Sequence, residues 1–338
     1  MTKPEQPLLS NPLDEELILP EEGPVGRSIH AGTVTGENGL TIVIAQTAGF
    51  CYGVKRAVEM AWEAVDASEK TGKKAATLGP IIHNPQEVER LEAKGIAPQD
   101  TIEGLRPGEI IVIRAHGIPK NERAEAKARG LQVMDATCPF VRRPQMLAER
   151  AAREGALVII VGDPDHPEIR GVKSFAEAGA VQAAANGKTS HVAVVRGPDE
   201  VAGLPDADHV SVLVQTTQKK QLFDDVVDAA RARYADVTPL NTICDDTTDR
   251  QADVRDLAAR VDAMVVVGGK LSANTKKLAE ISSHYTKRTH LVERVEDVDP
   301  RWFEGCASVG IAAGASTPDW LVGEVVKRIG ASPSPSSP

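Results

Sequence analysis

Aromatic residues are scarce: 3 Trp, 3 Tyr and 5 Phe among 338 residues. The core must therefore be built mainly of Ala, Val, Leu and Ile, and a hydrophobic content of 41% suffices for it. No apolar run approaches the roughly 18 residues of a membrane span. No basic start followed by an apolar segment marks a signal peptide. The expectation is a cytoplasmic protein with no membrane partner. Positive charge is in deficit, with a net charge of -9, which argues against a nucleic-acid partner. There is no Gly-rich phosphate loop ending in Gly-Lys-Ser/Thr. Only 4 cysteines occur, too few for a disulfide framework, and none forms the Cys-x-x-Cys pairs of a structural zinc site.

Three of those cysteines sit in similar surroundings. Cys51 lies in Gly49-Phe50-Cys51-Tyr52-Gly53-Val54-Lys55-Arg56. Cys138 lies in Asp135-Ala136-Thr137-Cys138-Pro139-Phe140-Val141-Arg142-Arg143. Cys244 lies in Thr242-Ile243-Cys244-Asp245-Asp246-Thr247-Thr248-Asp249-Arg250. Each follows small or apolar residues and opens a segment with an Arg within two helical turns. They are spaced about a third of the chain apart, which suggests three arms meeting at one centre. Three separate thiolates suit a cubane iron–sulfur cluster bound through three of its irons, with the fourth open to a substrate. Cys306 precedes a strand instead, and core packing is its expected role.

Between the cysteines the chain alternates strands with helical patterns. Leu40–Ala45, Ala75–Leu78, Ile110–Ile113, Leu157–Val161, Val210–Val214, Ala263–Val267 and Ser308–Ala313 read as strands. Val54, Ala57, Val58, Ala61 and Val65 fall at helical spacing, as do Val254, Leu257, Ala258 and Val261. One grammar recurs: cysteine, helix, strand with a polar loop, helix, strand with a second polar loop. It predicts three successive passes of parallel α/β units, residues 40–137, 138–240 and 241–330. Residues 1–39 read as a mobile extension and residues 331–338 as a disordered tail.

Ligand groups in such folds lie beyond the carboxyl ends of strands. Those ends carry His83, His116, His166, Glu168, Thr216, Ser272, Asn274 and Ser316. They offer many hydrogen-bond donors and few full charges, which suits an anion such as a diphosphate. Glu168 follows His166 by two positions and is a candidate proton relay, although Asp163 and Asp165 share its loop. Thr216 could pass a proton through its hydroxyl.

At these residues the sequence resembles the 4-hydroxy-3-methylbut-2-enyl diphosphate reductase (LytB) family, over roughly residues 42–327. The resemblance is carried by the three cysteine segments and by Ile82-His83-Asn84, Arg114-Ala115-His116-Gly117, His166-Pro167-Glu168, Gln215-Thr216-Thr217, Ser272 with Asn274, and Ala313-Gly314-Ala315-Ser316. It implies an α/β fold, a pseudo-threefold trefoil of three similar domains around a [4Fe–4S] cluster, one per chain, held by Cys51, Cys138 and Cys244. It implies that two electrons and two protons remove the substrate hydroxyl as water, giving isopentenyl and dimethylallyl diphosphates. His83, His116, His166, Thr216, Ser272, Asn274 and Ser316 would bind the substrate. Glu168 would supply the proton, assisted by His166 and Thr216. Reduced ferredoxin or flavodoxin would donate the electrons to a monomeric enzyme. The family often has a second serine where this chain has Ala273. Quinolinate synthase is the nearest alternative, and the His-Pro-Glu loop and the Ala136-Thr137-Cys138-Pro139 block weigh against it; a cluster-based redox sensor, which needs no diphosphate site, and a zinc-containing structural protein, which metal content would decide, are the others.

Overall fold

The computed structural model describes residues 32–331, which carry 13 strands and 9 α-helices. The chain opens with an antiparallel hairpin, β1 (Gly32–Thr35) and β2 (Thr41–Ile44). A first unit follows: α1 (Tyr52–Thr71), β3 (Ala75–Leu78), α2 (Pro85–Glu92), β4 (Ala97–Gln99), β5 (Ile110–Ile113), α3 (Lys120–Ala128) and β6 (Gln132–Asp135). A second repeats that order: α4 (Pro139–Glu154), β7 (Leu157–Val161), α5 (Pro167–Ala185), β8 (His191–Val195), β9 (Val210–Val214), α6 (Lys220–Arg233) and β10 (Val237–Leu240). The third runs α7 (Asp245–Ala258), β11 (Ala263–Val267), α8 (Ala273–Tyr285), β12 (Thr289–Val292), β13 (Ser308–Ala313) and α9 (Asp319–Gly330).

The first two sheets have one topology, β4-β3-β5-β6 and β8-β7-β9-β10, all parallel. The third has the same frame, β12-β11-β13, but β2 fills its fourth position. The central strands are continuous apolar runs because helices cover both faces. Alternate residues accordingly enter two cores per sheet: Ile110 and Val112 pack on one side of the first sheet, Ile111 and Ile113 on the other. In the third sheet Val265 and Val267 are divided from Met264 and Val266 in the same way.

Two expectations need correction. The strand around Leu40–Ala45 does not belong with residues 46–137; it pairs with β13 in the third sheet, Ile42 opposite Val309. The physical reason is positional. β6 and β10 each lead into the next cysteine, and β2 leads into Cys51, so it takes their place in the frame and closes the ring. Residues 32–35, read as part of a mobile extension, form β1. Residues 1–31 and nearly all of the expected tail, 332–338, lie outside the described residues.

A thiol-lined cavity at the centre of three sheets

Each sheet places one cysteine in the same way. Cys51, Cys138 and Cys244 are the N-caps of α1, α4 and α7. Each cysteine N–H donates to the carbonyl two residues past a central strand. Cys51 reaches Ala315 O (3.1 Å), Cys138 reaches Ala115 O (2.9 Å) and Cys244 reaches Thr216 O (3.0 Å). Arginines of the cysteine helices fix the approach. Arg56 on α1 donates to the carbonyls of Asp135 and Thr137, both at 3.3 Å, just before Cys138. Arg250 on α7, fully buried and paired with Asp246 at 2.6 Å, donates to the carbonyls of Thr47 and Ala313, ahead of Cys51.

The three cysteines are free thiols that line one cavity, together with His83, His116, His166, Glu168, Thr216, Ser272, Asn274 and Ser316. The structure thus brings every candidate site residue to one place. Burial pushes the Cys51 thiol up to about 11, with the Asp246 carboxylate adding to it. Burial, then the nearby Cys51, pushes Cys138 up to about 12. Cys244 is raised further, by burial, Asp246 and both other cysteines. The sulfurs therefore feel one another. Among the described residues, however, only His83, His116 and His166 hold ligand atoms within 4.8 Å of one another, the spacing that one ion needs. The three thiols are not among the groups that meet that spacing, and ligands to different corners of a polynuclear centre need not meet it. Cys306 lies elsewhere, half-buried against the third unit's core, with its sulfur accepting from Arg288 at 2.9 Å.

The strand ends supply the polar wall. The His83 and His116 rings lie 4.4 Å apart, and His166 lies 5.8 and 5.6 Å from them. Burial, before any neighbouring charge, lowers His83 and His166 to about 4 and His116 well below its usual value. The trio is neutral at pH 7. His166 Nδ1 accepts from the Glu168 N–H at 3.2 Å, so its proton sits on Nε2. Glu168 is 2% exposed. Its two carboxyl oxygens accept from Thr216, one from N–H at 2.8 Å and one from Oγ1 at 2.7 Å. Burial raises its pKa against the opposing effect of those bonds, which favours a retained proton. Asp163 and Asp165, by contrast, are surface groups 3.6 and 3.5 Å from Arg196.

Several polar atoms around the cavity have no protein partner. His83 Nε2, His116 Nδ1 and both side-chain polar atoms of Asn274 are buried without a hydrogen bond. Unpaired buried groups of this kind are costly unless a ligand meets them. The helices α5 and α8 begin at this wall, capped by His166 and Ser272, and α2 is capped by Asn84 beside His83. With the three cysteine helices, six helix N-termini face the region, a field that favours negative charge. Sequence reasoning gave no role to Asp246, Thr217 or Thr247, which also line the cavity. For Asp246 the available signal was its place two residues after a ligand candidate.

Three α/β units that place three single thiols and a wall of polar side chains around one cavity have the layout of an α/β enzyme with its site where its sheets meet. The sequence matches the family described as LytB protein over residues 42–330. A 4-hydroxy-3-methylbut-2-enyl diphosphate reductase of Geotalea uraniireducens (strain Rf4) is 44% identical over 86% of this chain and 97% of the relative. One from Anaeromyxobacter sp. (strain Fw109-5) is 45% identical over 84% and 94%. The solved structure of (E)-4-hydroxy-3-methyl-but-2-enyl diphosphate reductase, described as the terminal enzyme of the non-mevalonate pathway, aligns with a TM-score of 0.64 at 39% identity, covering 85% of this chain and 98% of that one. The Plasmodium falciparum E-1-hydroxy-2-methyl-but-2-enyl-4-diphosphate reductase aligns at 0.74 with 25% identity, covering 84% and 86%. The chain belongs to the LytB family.

Proposed function

We propose that this protein is a reductase that removes the hydroxyl of (E)-4-hydroxy-3-methylbut-2-enyl diphosphate, giving isopentenyl and dimethylallyl diphosphates. One observation carries the reading: three single thiols and the unpartnered polar atoms of His83, His116 and Asn274 border one cavity. The donor set fits a [4Fe–4S] cluster on Cys51, Cys138 and Cys244. The thiols are unpaired, border one cavity and are seated on helix N-termini that favour anionic sulfur. Such a cluster supplies electrons and one metal corner without a protein ligand.

The chain's own residues do the rest. Neutral His83 and His116, Asn274, Ser272 and Ser316 hold the diphosphate, with the start of α8 behind it. Glu168, its carboxyl kept protonated by burial, gives a proton to the departing hydroxyl, which leaves as water. Thr216 fixes both carboxyl oxygens, and His166 orients the Glu168 backbone. The balance is two electrons and two protons in, one water out. The electrons come from reduced ferredoxin or flavodoxin. Among the described residues no helix is long and apolar enough to cross a membrane.

The His83, His116 and His166 trio favours a second reading, a single divalent ion on three imidazoles. Anaerobic purification separates the two. The cluster reading expects equal iron and sulfide, with reductant-dependent conversion of the hydroxylated diphosphate. One zinc per chain without sulfide would overturn it.

A further inference from the structure

We propose that the rim formed by the first turns of α1 and α4 is the docking surface for an acidic one-electron carrier protein. The proposal rests on the reading above, in which the centre at the three cysteines is reduced from outside.

The three cysteine helices are equivalent in place but not in charge. α7 begins with Asp245 and Asp246, and Asp249 follows, as the helix dipole prefers. α1 and α4 have no acidic residue in their first turns. They carry Lys55 and Arg56, and Arg142 and Arg143, cations that the N-terminal dipole disfavours. These lie in a chain of net charge -9. Arg142 and Arg123 converge on the Asp135 carboxylate at 2.5 and 2.8 Å, so one acid is shared between two guanidinium groups, and Arg56 donates to the neutral Asp135 carbonyl. Lys55 and Arg143 are exposed; Lys55 acts electrostatically on the Asp319 carboxylate without closing an ion pair with it.

The two helix starts touch. Gly53 lies against Cys138 Sγ so closely that a Cβ there would overlap the sulfur. Tyr52, next to Cys51, is 41% exposed. The helices that carry two of the three thiols therefore start side by side within one rim bearing Lys55 and Arg143, with an exposed aromatic ring beside it. That combination suits an interface anchor surrounded by steering charge. Charge complementarity sets the partner's sign. Asp245 and Asp249, both exposed on α7, would turn the same partner away from the third thiol. Each encounter passes one electron, oxidising the carrier's centre and reducing the enzyme, so two encounters serve one turnover.

The test uses anaerobic holoenzyme, an acidic ferredoxin as probe, and the double variant Lys55→Glu/Arg143→Glu. Lys287→Glu, an exposed site on the third unit, is the control. The expected result is binding of oxidised ferredoxin weakened about tenfold or more in the double variant, with the donor KM raised to match and the salt dependence flattened. The control should stay within about twofold, and turnover driven by dithionite and methyl viologen should be unchanged. Unaltered ferredoxin binding and donor KM in the double variant, or an equal loss in the control, would overturn the proposal while leaving the reductase reading standing. An unaltered protein that never turns over with dithionite would sink that reading, and this one with it.

Discussion

The cysteine ends and the strand ends of the ring obey the threefold repeat to different degrees. At the cysteine ends the repeat is kept in chemistry as well as place: three thiols, three helix caps, three matching N–H···O=C bonds. At the strand ends only the place is kept. His83, His166 and Ser272 each stand five residues past a strand that ends at Leu78, Val161 or Val267. His116, Thr217 and Ser316 each stand three past Ile113, Val214 or Ala313. Pro85, Glu168 and Asn274 are seven past the first set of strands, and only one of them can carry a proton. A cluster with three like corners needs like ligands. A substrate with a diphosphate at one end and a hydroxyl at the other needs unlike ones.

The largest effect should come from breaking the symmetric end. Cys138→Ser should lose bound iron and sulfide and drop turnover to background, whereas Cys306→Ser, outside the ring, should keep both. Metal analysis of the two variants side by side reads the difference. Next comes the asymmetric end. Glu168→Gln keeps the size and the Thr216 contacts but cannot give up a proton. Turnover should fall by about 10²–10⁴-fold, with iron content and substrate affinity near normal. Substrate binding lost together with turnover would make Glu168 a structural residue.

A third difference concerns protons. The histidines at the strand ends are held neutral, His83 and His166 at about 4 against a usual 6.5. Between those values the unfolded chain binds more protons than the folded one, so stability is full above about 6.5 and is lost as pH falls towards 4. Cluster-free protein should show this as a falling melting temperature across that window. The loss should be on the order of a few kcal/mol in all. The thiols act in the opposite range. Cys51 and Cys138, at about 11 and 12, keep their protons at pH 7, so cluster loading must displace protons and should become more favourable as pH rises. A loading curve that is flat in pH would argue against thiolate ligation.

Gly53 probes the cysteine end more gently. Gly53 is buried at the second position of α1, and a Cβ there would overlap Cys138 Sγ, so the Cys138 side chain must shift even without a cluster. Gly53→Ala should therefore lower both the cluster-free melting temperature and iron occupancy. An unchanged iron occupancy would show that the sulfur can turn aside and still bind.

Much of this layout was legible in the residues, for a physical reason. The central strands are buried on both faces and so appear as apolar runs; Leu157–Val161 is buried throughout. The edge strands β4, β6, β8, β10 and β12 are only half-buried, and two of them contain Pro98 and Pro239, so apart from Val192–Val195 in β8 no apolar run marks them. The exchange of β2 into the third sheet is a long-range pairing that local pattern does not encode. At the site, the cysteines announced themselves by repetition. Glu168 did not stand apart from Asp163 and Asp165 by spacing alone. What separates them is burial beside Thr216, which exists only once two distant loops meet.

The smallest effect tests how finely the strand ends are adjusted. Ala273 opens α8 between Ser272 and Asn274 and lines the cavity, at a position where the family often carries a second serine. The Ser272 hydroxyl accepts from Thr275 N–H as the helix cap, so it is already engaged on its own helix. Asn274 is left as the donor at this helix start with unmet hydrogen-bonding capacity. Ala273→Ser adds one hydroxyl beside it at a first-turn position, where a small polar residue is tolerated. If that hydroxyl reaches the diphosphate, it should contribute about 1 kcal/mol, a KM lower by about fivefold with kcat unchanged. An unchanged KM would mean that backbone N–H groups at the start of α8 already fill that place, and a lower kcat would mean that the substrate had been drawn away from Glu168.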